Sequence, residues 1–450
     1  LVASWYPGTD GFRQRLDRMI VNSSGAEVVI ENAHLTAFGG SADRLVASWP
    51  EGNILRSLEA ERITASMLPQ MYFRRVFGGD EINATRGRLV LGYPDVAAPA
   101  RFVEGGGGRS RIVFDRIGIP KLDVQFGDGD GDATAMIRGT EVAFYPSGVN
   151  GVPRALLYSG ILDLPLWPQM LIERAIIDFP AGATDLASLR IRDAELDLNN
   201  DLLAGGADIS GKIPHDPTEA GILDLSLDAF QIQALIGEEA GRFFIGRVDT
   251  KAGGNSGVVR LSREDGIQMR AELMANPRSQ LTFNHFPFLG FLSRAVDDRW
   301  YLNPIFDEAP TMVLIRDGAE LLFDEIQFTA RNRMAIRGSI AIGSDGGIEG
   351  NIEVGLSPTV IDAAVARRLD GMFSMVRDDF RWVSLELGGT TRLPTDNFNA
   401  LFIDAPLPEV DTPQPRPELP PEDDGEDEPA KLPEREDPPT VLPPLFDLDH

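Results

Sequence analysis

The sequence predicts a mainly β protein, with antiparallel strands joined as hairpins and several short amphipathic helices between them. Three observations carry this. Apolar and polar residues alternate with period two through most of residues 26–403. Glycine (46) and proline (32) supply the turns that many short strands need. Stretches with helical spacing are short and fall between strand patterns. With 450 residues, 43% of them hydrophobic, the chain can bury a large core.

In chain order, residues 10–23 read as the first helix. Asp10 caps it, Phe12, Leu16, Met19 and Ile20 share a face, and Ser24-Gly25 stops it. Val28 and Ile30, then Leu35 and Ala37, begin the alternation, and Gly39-Gly40 reads as a turn. Leu58 to Met67 is a strand, Gln70–Phe77 a short helical insertion closed by Gly78-Gly79, and Ile82–Tyr93 a further strand. Gly105–Gly108 reads as a flexible joint. Beyond it, Leu122, Val124 and Phe126 point one way, as do Leu189 and Ile191, then Ala194, Leu196 and Leu198, and then Leu223, Leu225 and Leu227. Three helices are expected at Asp228–Gly241, Asn284–Asp297 and Ser357–Gly371. The last has Ser357 as N-cap, an apolar face of Ile361, Val365 and Leu369, and Gly371 past its end.

The clearest hairpin lies near the end. Met334, Ile336, Ile340 and Ile342 share one face; after the turn at Gly343, Ile348, Ile352, Val354 and Leu356 share the matching face. Gly338 and Gly350 fall on the same parity. A long sheet with one apolar face must cover it, as a sandwich, as a barrel, or as a trough whose floor needs a ligand or helices. Periodicity alone favours the closed reading, in which every apolar stripe is sandwich core.

Composition excludes several functions. There are 69 acidic residues against 42 basic, a net charge of −27, which argues against nucleic acid as a partner. The absence of cysteine excludes disulfides, thiol nucleophiles and iron–sulfur clusters. The four histidines, His34, His215, His285 and His450, are too scattered for a short-spaced metal site. Asp128-Gly-Asp-Gly-Asp132 begins like a calcium loop, but the sixth and twelfth positions are Ala133 and Gly139, so a solvated turn is expected and no metal. Asp298–Arg299 and Asp378–Asp379 read as solvated strand ends, and His285 as a packed ring among Phe283, Phe286 and Phe288. No nucleophile elbow or phosphate-binding loop occurs, and neither an enzyme nor a cofactor is expected.

Seven aromatic residues fall between Phe283 and Phe306; they are expected either as a local core or as a plug over an apolar groove. Ile161–Ile172, with Trp167 and Met170, is a second such segment. Residues 404–450 hold 13 prolines and carry a net charge of −12, the composition of a disordered acidic tail; its apolar end from Val441 is a possible docking motif for a protein partner. No apolar run is long enough to span a bilayer. The chain begins with Leu1, so a signal or membrane anchor is expected before it.

Several segments resemble the AsmA-like family of bacterial envelope proteins, TamB-type relatives included. Phe12-Arg-Gln-Arg-Leu followed by Ser24-Gly25-Ala-Glu-Val-Val-Ile is similar to the family's opening, and Leu58-Glu-Ala-Glu-Arg-Ile-Thr-Ala-Ser-Met with Ile82 to Leu91 to its next element. Gly347-Ile-Glu-Gly-Asn-Ile-Glu-Val-Gly-Leu, then Trp382-Val-Ser-Leu-Glu-Leu-Gly-Gly-Thr and Pro394-Thr-Asp-Asn-Phe, resemble its closing block. The resemblance implies an elongated β-groove with a taco-like cross-section and an apolar floor. It implies a periplasmic protein, anchored in the inner membrane, that holds or moves phospholipid toward the outer membrane. The domains expected are a membrane-proximal segment (1–25), an N-terminal β-region (26–104), a groove body (109–403) and the tail (404–450). Candidate groove residues are Leu122, Val124, Phe126, Met334, Ile336, Ile340, Ile342, Ile348, Ile352, Val354 and Leu356. The alternative is a non-catalytic scaffold that recruits its partner through the tail.

Overall fold

The computed structural model describes residues 25–407, except 37, 51–52, 69–75, 93–110, 128–134, 181, 195–204, 215, 217, 252–255 and 263. The helix expected at 10–23, the Gly105–Gly108 joint, the Asp128–Asp132 loop, Leu196, Leu198 and the tail beyond residue 407 lie outside the described residues.

The protein is mainly β, with a few short helices. Of 28 described strands, 25 join one sheet. Among the strands from Arg111–Phe126 onward the pairings are antiparallel, most of them between strands consecutive in the chain, while Gly221–Asp228 pairs with Gly257–Ser262 and Gly266–Ala275 with Thr311–Asp317. The departure from the antiparallel expectation lies earlier. Val76–Asn83 and Arg86–Leu91 both run parallel to Arg111–Phe126. A parallel return needs a connection of a dozen residues or more, and the interval between Leu91 and Arg111 is long enough for one. The predicted strand Ile82–Tyr93 is thus two strands, parted at Ala84-Thr85, where both backbone N–H groups leave the ladder to bond Gly118 O and Glu61 O. Of the helical insertion expected at Gln70–Phe77, residues 70–75 lie outside the described residues, and Val76 and Phe77 lie with Gly78-Gly79 in a strand. A Cβ on Gly79 would run into the Ser66 carbonyl and stand 3.0 Å from Met67 Cα, so glycine is required by close approach of the backbone.

The hairpin of Met334–Ile342 and Ile348–Leu356 forms as expected, with Ile342 opposite Ile348, Ile340 opposite Gly350 and Met334 opposite Leu356. Five α-helices are described, all after residue 231: α1 (Ile232–Gly241), α2 (Pro287–Val296), α3 (Pro358–Ala363), α4 (Arg368–Met372) and α5 (Phe398–Asp404). Helix α1 begins four residues later than expected, because strand Gly221–Asp228 continues to Asp228, and it kinks at Gly237. The third expected helix is two helices, α3 and α4. Ala364 turns to an extended conformation between them, which leaves Val365 73% exposed rather than on the apolar face and puts Gly371 inside α4. Ser357 does stand at the N-cap, but its hydroxyl is shared with that of Thr359.

Helix α2 starts with Pro287, and its N-cap Phe286 has no capping side chain. Asp396 takes that role from a distant strand. One carboxylate oxygen accepts from Phe288 N at 2.6 Å, and the other accepts from Phe398 N at 3.1 Å. A single carboxylate therefore ties the starts of α2 and α5 together.

Candidate functional site

The register of the sheet lines up apolar residues from strand to strand. One row runs through Leu35, Gly40, Ala65, Ile82, Ile117 and Phe144, each opposite the next. It continues through Ala155, Ile177, Leu186, Gly211 and Leu223. It ends through Val259, Met269, Arg316, Leu321, Ile342 and Ile348. A second row crosses the N-terminal half: Val28, Ala47, Leu58, Leu89, Val124 and Ile137, then Leu162, Met170 and Ala194. Period-two alternation puts each of these on one face of its own strand; the cross-strand pairing turns them into one apolar floor.

The two ends of the long row differ in cover. From Leu223 onward its members are buried. Ile232, Leu235 and Ile236 of α1 and Phe288, Leu289 and Leu292 of α2 join the same core as Phe323, Ile336 and Val354 of the floor. The aromatic segment packs there too, with Phe244 4.4 Å from Phe323 and 5.5 Å from Phe283 between ring centroids. Before Leu223, most of the row is only half-buried: Leu35, Ile82, Ile117, Phe144, Ile177 and Leu186 all keep part of their surface. Among the described residues no helix lies in that half of the chain. A smaller core of Ala60, Ile119, Leu122, Val142, Leu157 and Ala175 lies there, and it meets the large core at Ile137 and Leu189.

The candidate groove residues divide between the two. Met334, Ile336, Ile340, Ile342, Ile348, Ile352, Val354 and Leu356 share one face and are at most 6% exposed, inside the helix-covered core. Leu122 and Val124 belong to the N-terminal core, with Leu122 buried and Val124 half-buried. Phe126 is half-buried, opposite Leu91 on one neighbouring strand and Ala135 on the other.

The sheet curls strongly along this floor. Six strand-to-strand steps separate Met170–Asp178 from Thr311–Asp317. Laid flat, those strands would be about 29 Å apart. Yet Arg316, on the second, donates at 2.5 Å to the carbonyl of Leu166, four residues before the first. Its guanidinium lies 3.9 Å over the ring of Trp167 and also donates to Leu235 O at 2.6 Å and to Gly318 O at 3.0 Å. Burial pulls the Arg316 guanidinium down to about 10, still protonated at neutral pH. The pairing of Arg316 with Trp167 has no signature in the sequence. The available signal was parity: Met312, Leu314 and Arg316 alternate onto the apolar face.

The remaining polar groups singled out in the sequence have structural settings. His285 is exposed, with a left-handed backbone (φ 68°), and is not the packed ring expected; its neighbours Phe283, Phe286 and Phe288 turn inward instead. Asp298 caps the 3₁₀ turn Arg299–Leu302 and pairs with Arg333 at 3.0 Å. Asp378 and Asp379 form a left-handed turn, and Asp378 pairs with Arg337 at 2.8 Å. Among the described residues no cluster of metal-ligating side chains occurs, and no helix is long and apolar enough to cross a membrane.

No protein-family model, no curated protein and no solved structure matches this chain.

Proposed function

We propose that this chain is an AsmA-like lipid-binding protein of the bacterial envelope. It holds acyl chains along the N-terminal part of its apolar floor and supports phospholipid transport to, or assembly of, the outer membrane. The observation that carries the reading is the long register row, apolar from strand to strand yet only half-buried before Leu223. An elongated apolar strip of this kind suits a lipid tail. Each methylene that it removes from water contributes about 0.8 kcal/mol. Binding by burial alone needs no catalytic residue, and the reading is of a carrier and not an enzyme. The family resemblance supplies the setting: the periplasm, with attachment to the inner membrane through a preceding helix.

In this reading the hairpin Met334–Leu356, buried under the helices, is the closed end of the groove. Its eight candidate residues are core there, while Val124 lies in a row that meets the ligand, with half-buried Phe126 two residues on and Leu122 in the small core beside it. Mass spectrometry of organic extracts from the purified chain tests the reading against a soluble control from the same expression host. Stoichiometric phospholipid is expected. A lipid-free chain that also fails to take up phospholipid from vesicles would overturn it.

A further inference from the structure

The long row across the sheet contains one charged residue, Arg316, between Met269 and Leu321. It is 3% exposed, and among the described residues it makes no ion pair, although the chain has an excess of acid. A buried cation without a counter-charge is costly to keep. Its present partners are three carbonyl oxygens and one ring face, from three separate elements: the turn at Gly318, the kinked helix α1, and the strap Leu164–Trp167.

The strap is thin and strained. Leu166, whose carbonyl Arg316 holds, is 66% exposed and has φ 65°, a left-handed conformation unfavourable for a residue with a branched side chain. The residue whose carbonyl Arg316 holds is thus itself at the surface. Lifting the strap relaxes the backbone and frees Nη2, whose N–H groups can donate to phosphate oxygens while Nε and Nη1 stay on Gly318 O and Leu235 O.

We propose that Arg316 is a phosphate-binding site at the curled seam of the groove, closed by the Leu164–Trp167 strap when empty and opened when a phosphate group displaces the Leu166 carbonyl. This rests on the acyl-lipid reading and adds to it the headgroup chemistry: the phosphate of a phospholipid whose tails lie on the floor.

The test compares retention of dioleoyl phosphatidic acid and dioleoylglycerol, offered in detergent micelles, by the full chain and by Arg316→Met and Arg316→Lys. Hydrogen exchange of the peptide spanning 161–170 is read alongside. The parent is expected to prefer the phosphatidic acid by about tenfold, and that lipid to speed exchange of the strap. Arg316→Met should lose the preference and keep dioleoylglycerol; Arg316→Lys should retain part of it. If Arg316→Met does not fold, Trp167→Ala serves: it loosens the strap, leaves the guanidinium, and should tighten phosphatidic acid selectively. Equal retention of the two lipids by the parent, a preference that survives Arg316→Met, or no change in Trp167→Ala would overturn the phosphate site alone. Retention of neither lipid by the parent would overturn the acyl-lipid reading and this site with it. Arg316-dependent strap exchange produced by inorganic phosphate without lipid would support the site but assign it to a soluble phosphate.

Discussion

Gly338 lies directly opposite Ile352 in the hairpin of Met334–Ile342 and Ile348–Leu356. Its φ is +134°, and a Cβ there would press into the Asn351 carbonyl and stand 2.8 Å from Ile352 Cα. The strand can therefore bend over its partner at this point only with glycine. Gly338→Ala is expected to cost about 2 kcal/mol or more. Urea unfolding followed by circular dichroism measures it, and an unchanged midpoint would show that the backbone yields cheaply.

Ile352 and Val124 both belong to the floor but differ in cover. Ile352→Asp puts a carboxylate into the closed core against Gly338 and Leu385, and should cost about 4 kcal/mol or more, enough to lower the soluble yield. Val124→Asp, at a half-buried position between Leu89 and Ile137, should leave the β signal in place and reduce bound lipid. Thermal melts and lipid content measured on both variants separate stability from binding.

Asp396 joins the starts of α2 and α5, so Asp396→Ala should cost about 2 kcal/mol. Burial holds its carboxyl above the ordinary value, and the backbone bonds from Phe288 and Phe398 offset this only in part. The folded state therefore binds that proton more tightly than the unfolded chain. Its contribution is greatest below the ordinary carboxylate range and falls as pH rises through the raised value. Asp396→Asn should flatten that segment of the stability–pH curve relative to the parent, as read from urea midpoints across the acid range.

Arg154 and Asp178 behave in the opposite sense. They face each other across neighbouring strands, with Nε donating to Oδ1 at 2.6 Å and Nη2 to Oδ2 at 2.8 Å. The guanidinium holds the Asp178 carboxyl below its ordinary value. That stabilisation is present above the ordinary carboxylate range and is lost as pH falls through the lowered value. Asp178→Asn should make the N-terminal half of the sheet less stable at neutral pH and its stability less sensitive to acid, with exchange of the 152–178 peptides as the readout.

Parity was legible in the sequence; curvature was not. The alternation of Met334 to Leu356 placed each residue of that hairpin on its observed face, because a strand's side chains follow its own backbone. Which strands pair is a matter of register between distant segments. The parallel joint at Arg111–Phe126 is visible only once Ile82 is set beside Ile117. Parity alone marks the eight candidates of the hairpin, and parity does not distinguish an open floor from one beneath α1 and α2. Arg316 was hidden for the same reason: its contact with Leu166 exists only because six intervening strand steps curl. Val365 shows the converse limit, a helical spacing interrupted by the extended backbone at Ala364.

The measurement that tests the central claim most directly is photo-crosslinking with a phospholipid that carries a diazirine in its acyl chain, followed by peptide mapping of the modified residues. Labelling should fall on the half-buried floor before Leu223, among peptides containing Ile82, Val124, Phe144 and Ile177, and spare Met334–Leu356. Labelling absent from that floor, or confined to the polar face of the same strands, would contradict the account.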